Sequence, residues 1–351
     1  MQMEDLQREE LLRIEHLSVT FTQYDGWFSR KILPVIRDLS LRVSRGEMVA
    51  VVGSSGSGKS LLAHAVMGVL PYNGSCGGDI YYKGKQLTTK RIKQLRGNKI
   101  VLVPQSVSYL DPLMKVGEQV AGGKDRISLE KSRKALARYG LDKEVDNMYP
   151  FELSGGMARR VLIGTAVVEK PELVIADEPT PGLHMEAAVR VLSHFREIAD
   201  EGAGVLLITH DLELALKTAD RIVVFYAGTA VEEAACVDFD QEAALRHPYT
   251  RALFRAMPEH GFAPEPGIQP YVRDLPERCP YGPRCPKYRE ECSKEISYVS
   301  YQGGLVRCIC PGDEKEILPG ILSESEVLKE KMTSEPSSGE CSVCGKEGAG
   351  L

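Results

Sequence analysis

The chain has 351 residues, enough for about two domains with buried cores. Charged residues make up 26% of it and hydrophobic residues 43%, which excludes a fibrous chain and one that is disordered throughout. Because 49 Asp and Glu outnumber 44 Lys and Arg, the net charge of −5 gives no general attraction to nucleic acid, and we expect no nucleic-acid partner.

The first ten residues are polar and include four acids, so they do not have the pattern of a secretory signal. The longest apolar runs, such as residues 61–70, are about half of the roughly 20 residues that a membrane-spanning helix needs. We therefore expect a cytosolic chain that reaches a membrane only through a partner.

Predicted strands follow one another along the first two thirds of the chain. Apolar residues alternate over 14–21 and 39–43, which predicts half-buried strands. A continuous apolar run over 48–52 predicts a strand buried on both faces. Four more buried strands are expected at 99–103, 173–176, 205–209 and 222–226. Helix-length segments separate them, so the sequence predicts an α/β fold.

A phosphate-binding pattern, G-x-x-x-x-G-K-[ST], directly follows the predicted strand 48–52. It consists of Gly53, Ser54, Ser55, Gly56, Ser57, Gly58, Lys59 and Ser60. Because a segment able to form a helix comes next, the amides can converge on phosphate oxygens, Lys59 can reach the terminal phosphates, and Ser60 can offer a hydroxyl to Mg²⁺. The alternative is a Gly/Ser linker, but linkers rarely join a buried strand to a helix. We predict a nucleoside triphosphate site.

Two acids follow the predicted strand 173–176. Asp177 comes first, where a carboxylate beside the phosphate loop can hold Mg²⁺ through its water shell. Glu178 comes next and is suited to polarise an attacking water, so we predict it to be the general base. The alternative is that an acid at this position caps the next turn.

Between residues 106 and 170 the pattern changes to loops and helices, which predicts a helical insertion. One helix is expected with Ser128 as its N-cap and Gly140 just past its end. A second helix follows the segment ELSGGM at 152–157. Ser154, Gly155 and Gly156 then form a helix N-terminus with free amides, which predicts a second anion site.

Five ordered motifs together resemble the ATP-binding cassette (ABC) family: the strand and loop at 48–60, the LSGG turn at 153–156, the acids at 177–178 and Ile208-Thr209-His210. The resemblance covers about residues 11–235. It implies an ABC-type P-loop ATPase core with an antiparallel β subdomain and a helical subdomain at about 106–170. It also implies a head-to-tail dimer, in which each ATP lies between the phosphate loop of one chain and the LSGG turn of the other.

The same resemblance assigns further site residues. Gln105 matches the glutamine that senses Mg²⁺ and water, and His210 matches the switch histidine at the γ-phosphate. Tyr24 or Phe21 matches the aromatic residue that stacks on adenine. Tyr24 is our candidate, because Phe21 fits a core strand position equally well.

Two positions depart from the family pattern. The segment Thr180-Pro181-Gly182-Leu183-His184 corresponds to the D-loop, which usually ends in aspartate but here ends in His184. This change bears on coupling between subunits and on whether both ATP sites are equally active. Met157 replaces the usual glutamine at the end of the signature and leaves the donors of 154–156 intact.

Three further segments resemble the ATPases of oligopeptide, dipeptide and nickel importers: Arg159-Arg160-Val161, Tyr109-Leu110-Asp111-Pro112 and His247-Pro248-Tyr249-Thr250-Arg251-Ala252-Leu253. The last of these also predicts a proline-started amphipathic helix. The resemblance implies that it opens a small Cys-rich C-terminal extension at 236–312, where the strand pattern stops. Residues 313–351 are too polar to bury a core, and we expect a disordered tail.

The nine cysteines of a chain in a reducing compartment indicate metal ligands or core thiols rather than disulfides. Four of them lie in a proline-rich segment too small for its own core, which suits a metal that supplies folding energy: Cys279, Cys285, Cys292 and Cys308. In the resembled subgroup such a set can hold a [4Fe–4S] cluster; zinc and unligated thiols are the alternatives. Cys310 could replace Cys308. Cys341 and Cys344 predict an accessory or adventitious site, and Cys76 and Cys236 are interpreted as structural.

The resemblance implies an ATP-hydrolysing importer subunit for oligopeptides or dipeptides, with nickel or a metal chelate as the alternative cargo. It implies a second ABC ATPase as partner, in a heterodimer or a homodimer, with two membrane permease subunits and, indirectly, an extracellular substrate-binding protein. The chain would then lie peripherally on the cytoplasmic side of the membrane. A non-transport ABC ATPase is disfavoured because the chain has neither a long coiled-coil insertion nor a second cassette. A regulator built on an inactive cassette is opposed by the intact Lys59, Asp177, Glu178 and His210.

Overall fold

A computed structural model describes residues 8–25, 29–122, 126–271, 274–276, 278–314 and 316–318; the side chains of residues 24, 25, 29, 126 and 127 are not described. The strands are β1 (Glu10–Asp25), β2 (Ser29–Ser44), β3 (Met48–Val52), β4 (Gly74–Tyr82), β5 (Lys85–Gln86), β6 (Ile100–Val103), β7 (Leu173–Asp177), β8 (Gly204–Thr209), β9 (Arg221–Tyr226), β10 (Thr229–Ala235), β11 (Val299–Tyr301) and β12 (Gly304–Val306). The α-helices are α1 (Lys59–Met67), α2 (Thr89–Leu95), α3 (Val116–Ala121), α4 (Arg126–Arg138), α5 (Gly155–Val167), α6 (Met185–Asp200), α7 (Leu212–Leu216) and α8 (Pro248–Ala256).

One mixed sheet organises these elements. Its central strands run parallel in the order β9-β3-β8-β7-β6, and β1, β2, β4 and β5 pair antiparallel on the other side of β10. The five predicted buried strands are all present, as is the antiparallel β subdomain. The α/β prediction is confirmed.

Strand β3 shows why its sequence is continuously apolar. Met48, Ala50 and Val52 enter one hydrophobic core, whereas Val49 and Val51 enter the other, because successive side chains of a strand point to opposite faces. The first core is covered by helices α5 and α6, and the second by α1 and the strands of the antiparallel subdomain. A strand covered on both faces has no position at which a polar side chain would reach water.

Helices α3, α4 and α5 form the region between residues 106 and 170, where the described residues include no strand. Gly140 follows the end of α4 with φ +66°, as predicted. The prediction of Ser128 as N-cap is wrong, because α4 begins at Arg126 and encloses Ser128. An N-cap preference is worth only about 1 kcal/mol, and the helix extends past it by two residues.

The C-terminal extension is attached to the sheet rather than separate from it, which corrects the expectation that the strand pattern stops after Cys236. Strand β12 pairs antiparallel with β10, Val306 opposite Glu232, and β11 completes a hairpin. Glu232 is fully buried and accepts hydrogen bonds from the backbone N–H groups of Arg246 (2.8 Å) and His247 (2.7 Å), where α8 begins. A short pairing can form in a proline-rich segment because it needs only three residues free of proline.

Of the predicted tail, the structure describes residues 313, 314 and 316–318, and Asp313 pairs with Arg251 at 2.7 Å. Cys341 and Cys344 lie outside the described residues. Within the described ranges no helix has both the length and the apolar character needed to cross a bilayer.

Candidate nucleotide site

The predicted nucleotide-site residues lie at the carboxyl ends of neighbouring parallel strands. The loop 53–60 follows β3, His210 follows β8, Asp177 ends β7, and Gln105 follows β6. Because β3, β8, β7 and β6 are adjacent in that order, these segments meet along one edge of the sheet. Such edges are where open α/β sheets bind ligands.

The phosphate loop needs glycine at its first and sixth positions. A Cβ atom on Gly53 would lie 2.1 Å from the carbonyl oxygen of Phe225, so no side chain fits between the loop and β9. Gly58 caps α1 with φ +98°, in the left-handed region that favours glycine. The loop is therefore pressed against the sheet and turns sharply into the helix.

Lys59 is buried, 5% exposed, at the centre of the loop. Its Nζ donates to the carbonyl oxygens of Gly53 (2.7 Å) and Ser54 (2.9 Å) and lies 3.8 Å from Oε1 of Glu178. Burial lowers the pKa of Lys59, and the carboxylates of Glu178 and Asp177 oppose that shift. The ammonium group is thus held inside the loop, where it can turn toward a bound phosphate.

Ser60 and Asp177 are brought together as a magnesium site requires. The Oγ of Ser60 donates to Oδ1 of Asp177 at 2.9 Å, and Asp177 is 4% exposed. Burial raises the pKa of Asp177, and the hydrogen bond from Ser60 opposes it. One hydroxyl and one carboxylate, both hard oxygen donors beside the phosphate loop, fit Mg²⁺.

Glu178 has a strained backbone and two charged or titratable neighbours. Its φ of +45° is unusual for a residue with a side chain, and its N–H donates to the carbonyl oxygen of Ile208 at 2.8 Å. Its Oε2 lies 2.7 Å from Nδ1 of His210, and its Oε1 faces Lys59. Strain of this kind at a strand end is found where a side chain is held for function.

Gln105 has an exposed side chain, and its backbone is tied to the helical region. Nη1 of Arg159, in α5, donates to the carbonyl oxygens of Gln105 (2.5 Å) and Pro104 (3.3 Å). Arg159 is 7% exposed, and burial lowers its pKa. In the sequence Arg159 marks only a family resemblance, because neither its burial nor its contact with Gln105 leaves a local signal.

The signature turn forms the start of α5. Ser154 is the N-cap, its Oγ accepts a hydrogen bond from the N–H of Met157 at 3.3 Å, and Gly155 and Gly156 open the helix. Ser154 and Gly155 are exposed. The turn therefore presents amides on the surface, as an anion site between two chains requires.

The D-loop histidine lies at the start of another helix. His184 is the N-cap of α6 and is exposed, and its side chain makes no capping hydrogen bond.

Of the two aromatic candidates for adenine, Phe21 packs against the apolar core. Tyr24 lies on β1, and its side chain falls outside the described residues.

The four predicted metal cysteines share one region of the extension. Cys279, Cys285 and Cys292 line an open cavity of about 520 Å³. Burial raises the pKa of Cys279 to about 11 and also raises that of Cys308, and the neighbouring thiols raise the pKa of Cys308 further. Cys310 is buried next to Cys292. Within the described part of the chain, no three His, Cys, Asp or Glu side chains are arranged to hold a metal ion directly.

Cys236, interpreted as structural, is partly buried, and its Sγ donates to the carbonyl oxygen of Ala219 at 2.9 Å. Cys76 is 7% exposed and packs in the core of the antiparallel subdomain.

Comparison with known proteins agrees with this geometry. Residues 36–181 match the family model of the ABC transporter, and residues 231–292 match that of the oligopeptide/dipeptide transporter C-terminal region. The oligopeptide transport ATP-binding protein OppD of Escherichia coli K12 is 33% identical, over 88% of this chain and 95% of its own length. OppD of Lactococcus lactis is 36% identical over 83% and 90%, and the probable D,D-dipeptide transport ATP-binding protein DdpD of Escherichia coli K12 is 32% identical over 88% and 99%.

Solved structures are similar in fold. The bacterial ABC transporter cassette MJ0796, solved as a dimer, gives a TM-score of 0.57 at 24% identity over 64% of this chain and 99% of its own. MJ1267, an ATP-binding cassette of an ABC transporter, gives 0.55 at 26% identity over 65% and 92%. The chain thus belongs to the ABC transporter ATP-binding proteins of the oligopeptide/dipeptide family and is an ATPase.

Proposed function

We propose that this chain powers the uptake of oligopeptides or dipeptides through separate permease subunits, as a peripheral protein on the cytoplasmic side of the membrane. The observation that carries the proposal is the combination of a nucleotide site at 53–60 with a C-terminal extension that matches the oligopeptide/dipeptide family model. Relatives named for oligopeptide and D,D-dipeptide transport match over most of the chain.

The site residues divide the work of ATP hydrolysis. The amides of the loop 53–60 and the ammonium of Lys59 bind the phosphates. Ser60, Asp177 and Gln105 would hold Mg²⁺, which when bound neutralises phosphate charge. Glu178 accepts a proton from the attacking water as general base. His210 lies 2.7 Å from the Glu178 carboxylate and orients that carboxylate toward the γ-phosphate.

A second ATPase chain completes each site in this proposal. The amides of the signature turn, Ser154, Gly155 and Gly156, bind the phosphates held by the other chain. Because His184 replaces the usual D-loop aspartate, a heterodimer with a paralogous ATPase is our first choice and a homodimer the second. Tyr24 is retained as the candidate for stacking on adenine.

The surface next to Gln105 supports docking of a permease. Exposed apolar side chains lie on the two segments that Arg159 brings together, the one after Gln105 and the one before α5: Val107, Tyr109, Leu113, Met114 and Phe151. We propose that these exposed apolar side chains contact the permease. Movement of Gln105 on hydrolysis would reach the permease through this surface.

We propose that a metal holds the extension. Its donors would be Cys279, Cys285, Cys292 and Cys308, whose thiolates suit an iron–sulfur cluster or zinc, although no three of them are arranged for direct ligation in the part of the chain that is described. We favour a [4Fe–4S] cluster, with zinc as the alternative, because zinc sites more often use tight C-x₂-C pairs.

Uptake in the source organism tests the cargo. A strain lacking this chain should lose uptake of a labelled tripeptide, and the wild-type chain but not Lys59→Ala should restore it. If the same strain instead loses uptake of labelled nickel, the metal alternative is correct. Co-purification of the tagged chain with integral-membrane subunits is expected, and its absence together with unchanged uptake would contradict a transport role.

A further inference from the structure

The C-terminal extension reaches the phosphate loop directly. Ser54, the second residue of the loop, donates a hydrogen bond from its Oγ to Oε1 of Gln269, which lies between α8 and the first metal cysteine. Ser54, Gln269 and Tyr249 of α8 line one cavity of about 200 Å³. A residue of the nucleotide site is therefore held by a segment outside the conventional motifs.

Tyr249 makes a second contact with the same serine. It is 4% exposed, and its ring centroid lies 4.4 Å from that of Tyr226 and 5.4 Å from that of Tyr281. Burial raises the pKa of Tyr249 to about 12, and the neighbouring Ser54 opposes the shift. Tyr249 therefore keeps its proton at neutral pH, and its hydroxyl faces Ser54 from a rigid aromatic cluster.

Ser54 in turn sets the position of the phosphate loop. Its carbonyl oxygen accepts hydrogen bonds from Nζ of Lys59 at 2.9 Å and from the N–H of Ser57 at 3.3 Å. A displacement of Ser54 would therefore move the anchor of Lys59 and the turn that follows it. A change in the contacts of the Ser54 side chain would in this way shift the ammonium of Lys59, which meets the phosphates.

The segment that carries Gln269 is itself fastened to the cysteine region. The hydroxyl of Tyr281 donates to Oε1 of Glu265 at 2.5 Å, and Nε of Arg284 donates to the carbonyl oxygen of Pro266 at 3.0 Å. Tyr281 and Arg284 both lie between Cys279 and Cys285. A continuous set of contacts thus runs from the cysteines to the phosphate loop.

We propose that Gln269 and Tyr249 are positioning residues for ATP, which hold Ser54 so that the phosphate loop and Lys59 are preset for the nucleotide. The proposal rests on the proposed role of residues 53–60 as the phosphate loop. It gives the extension a direct effect on ATP affinity. Neither residue touches the reacting atoms.

A double-mutant cycle on the full chain tests this, with the dissociation constant of Mg-ATP measured by calorimetry. Gln269→Ala should weaken binding by about two- to tenfold, the range of one net hydrogen bond. Ser54→Ala should weaken it similarly, and the double variant should be no weaker than Ser54→Ala alone. Tyr249→Phe, which keeps the ring, should also weaken binding. The midpoint of thermal unfolding should stay unchanged, so that a loss of fold does not explain the result.

Two further variants make the outcome unambiguous. Ile268→Ala alters the adjacent side chain, which is 76% exposed, and should bind Mg-ATP as the wild type does. Lys59→Ala should lose binding, whatever the role of Gln269. If Lys59→Ala binds ATP normally, the assignment of the phosphate loop fails. If Lys59→Ala loses binding but Gln269→Ala behaves like Ile268→Ala, or if the effects of Gln269→Ala and Ser54→Ala add, only the positioning proposal is overturned.

Discussion

Glu178 combines a strained backbone with a carboxylate set between an ammonium and an imidazole. The positive φ directs the side chain away from the strand and toward Lys59 and His210. Such a conformation costs about 1–3 kcal/mol, which the surrounding contacts must offset. The side chain is thus held in place on both sides, as the general base proposed here would require.

Replacement of Glu178 by Gln should stop hydrolysis and leave ATP binding intact. The amide keeps the shape of the side chain but has an NH₂ group in place of one carboxylate oxygen and cannot accept the proton, so turnover should fall by at least about 100-fold. Phosphate release measures turnover, and calorimetry measures binding. Glu130→Gln, on the exposed face of α4, is the matched control and should hydrolyse ATP at the wild-type rate. Undiminished hydrolysis by Glu178→Gln would remove the assignment of the base.

At the scale of elements, α6 begins without a side-chain cap. His184 occupies the N-cap position with extended backbone (φ −71°, ψ 158°). An aspartate at this position would accept a hydrogen bond from an N–H group of the first turn, and its negative charge would be stabilised by the positive end of the helix dipole. His184→Asp should therefore raise the free energy of unfolding by roughly 1 kcal/mol, measured by denaturant titration. His184→Ala serves as control. An aspartate variant no more stable than the alanine variant would contradict the prediction.

Glu172 links the start of β7 to other strands and gives a pH-dependent stability. Its carboxylate pairs with Lys83 and Lys99 and accepts a hydrogen bond from Tyr82. The Lys83 contact is the main reason that the pKa of Glu172 falls from 4.5 to about 2. Because the native state holds the proton less tightly than the unfolded chain, this stabilisation is present above pH 4.5 and is lost as the pH falls toward 2.

Glu172→Gln should therefore lower the free energy of unfolding at pH 7, by up to roughly 1 kcal/mol for a network near the surface. The difference from the wild type should shrink as the pH is lowered from 4.5 toward 2, when followed by urea unfolding at each pH. Glu169→Gln, whose carboxylate is more exposed, is the control. A difference that does not change with pH would show that the charge of Glu172 is not what stabilises the strands.

Regular structure was predictable where local pattern and burial agree. The run 48–52 is apolar at every position because both faces of β3 are covered. Glycine is required at position 53 by the close approach to Phe225 and at position 58 by the positive φ. The hairpin of β11 and β12 was missed because two strands of three residues show no usable periodicity. The contact of Gln269 with Ser54 joins residues 215 positions apart, and such tertiary contacts leave no local signal.

The metal proposed for the cysteine region of the extension can be tested on the intact protein. Purified without oxygen, the chain should show the broad visible absorption of thiolate-ligated iron, and Cys285→Ser should lose it. Cys236→Ser, at a cysteine outside the cluster, should keep it. A colourless protein with stoichiometric zinc would favour zinc, and a protein with neither metal would show that these thiols are unligated.

The burial of Glu232 has a consequence for any attempt to divide the chain. Its carboxylate is buried and accepts hydrogen bonds from the backbone N–H groups of Arg246 and His247. Strand β12 pairs with β10 beside it. A truncation after residue 235 would remove these donors together with β12, so the Glu232 carboxylate would be exposed to water and the border of β10 would be open to pairing with other molecules. We therefore expect residues 1–235 on their own to associate with one another through that open border of β10, which the full chain keeps covered.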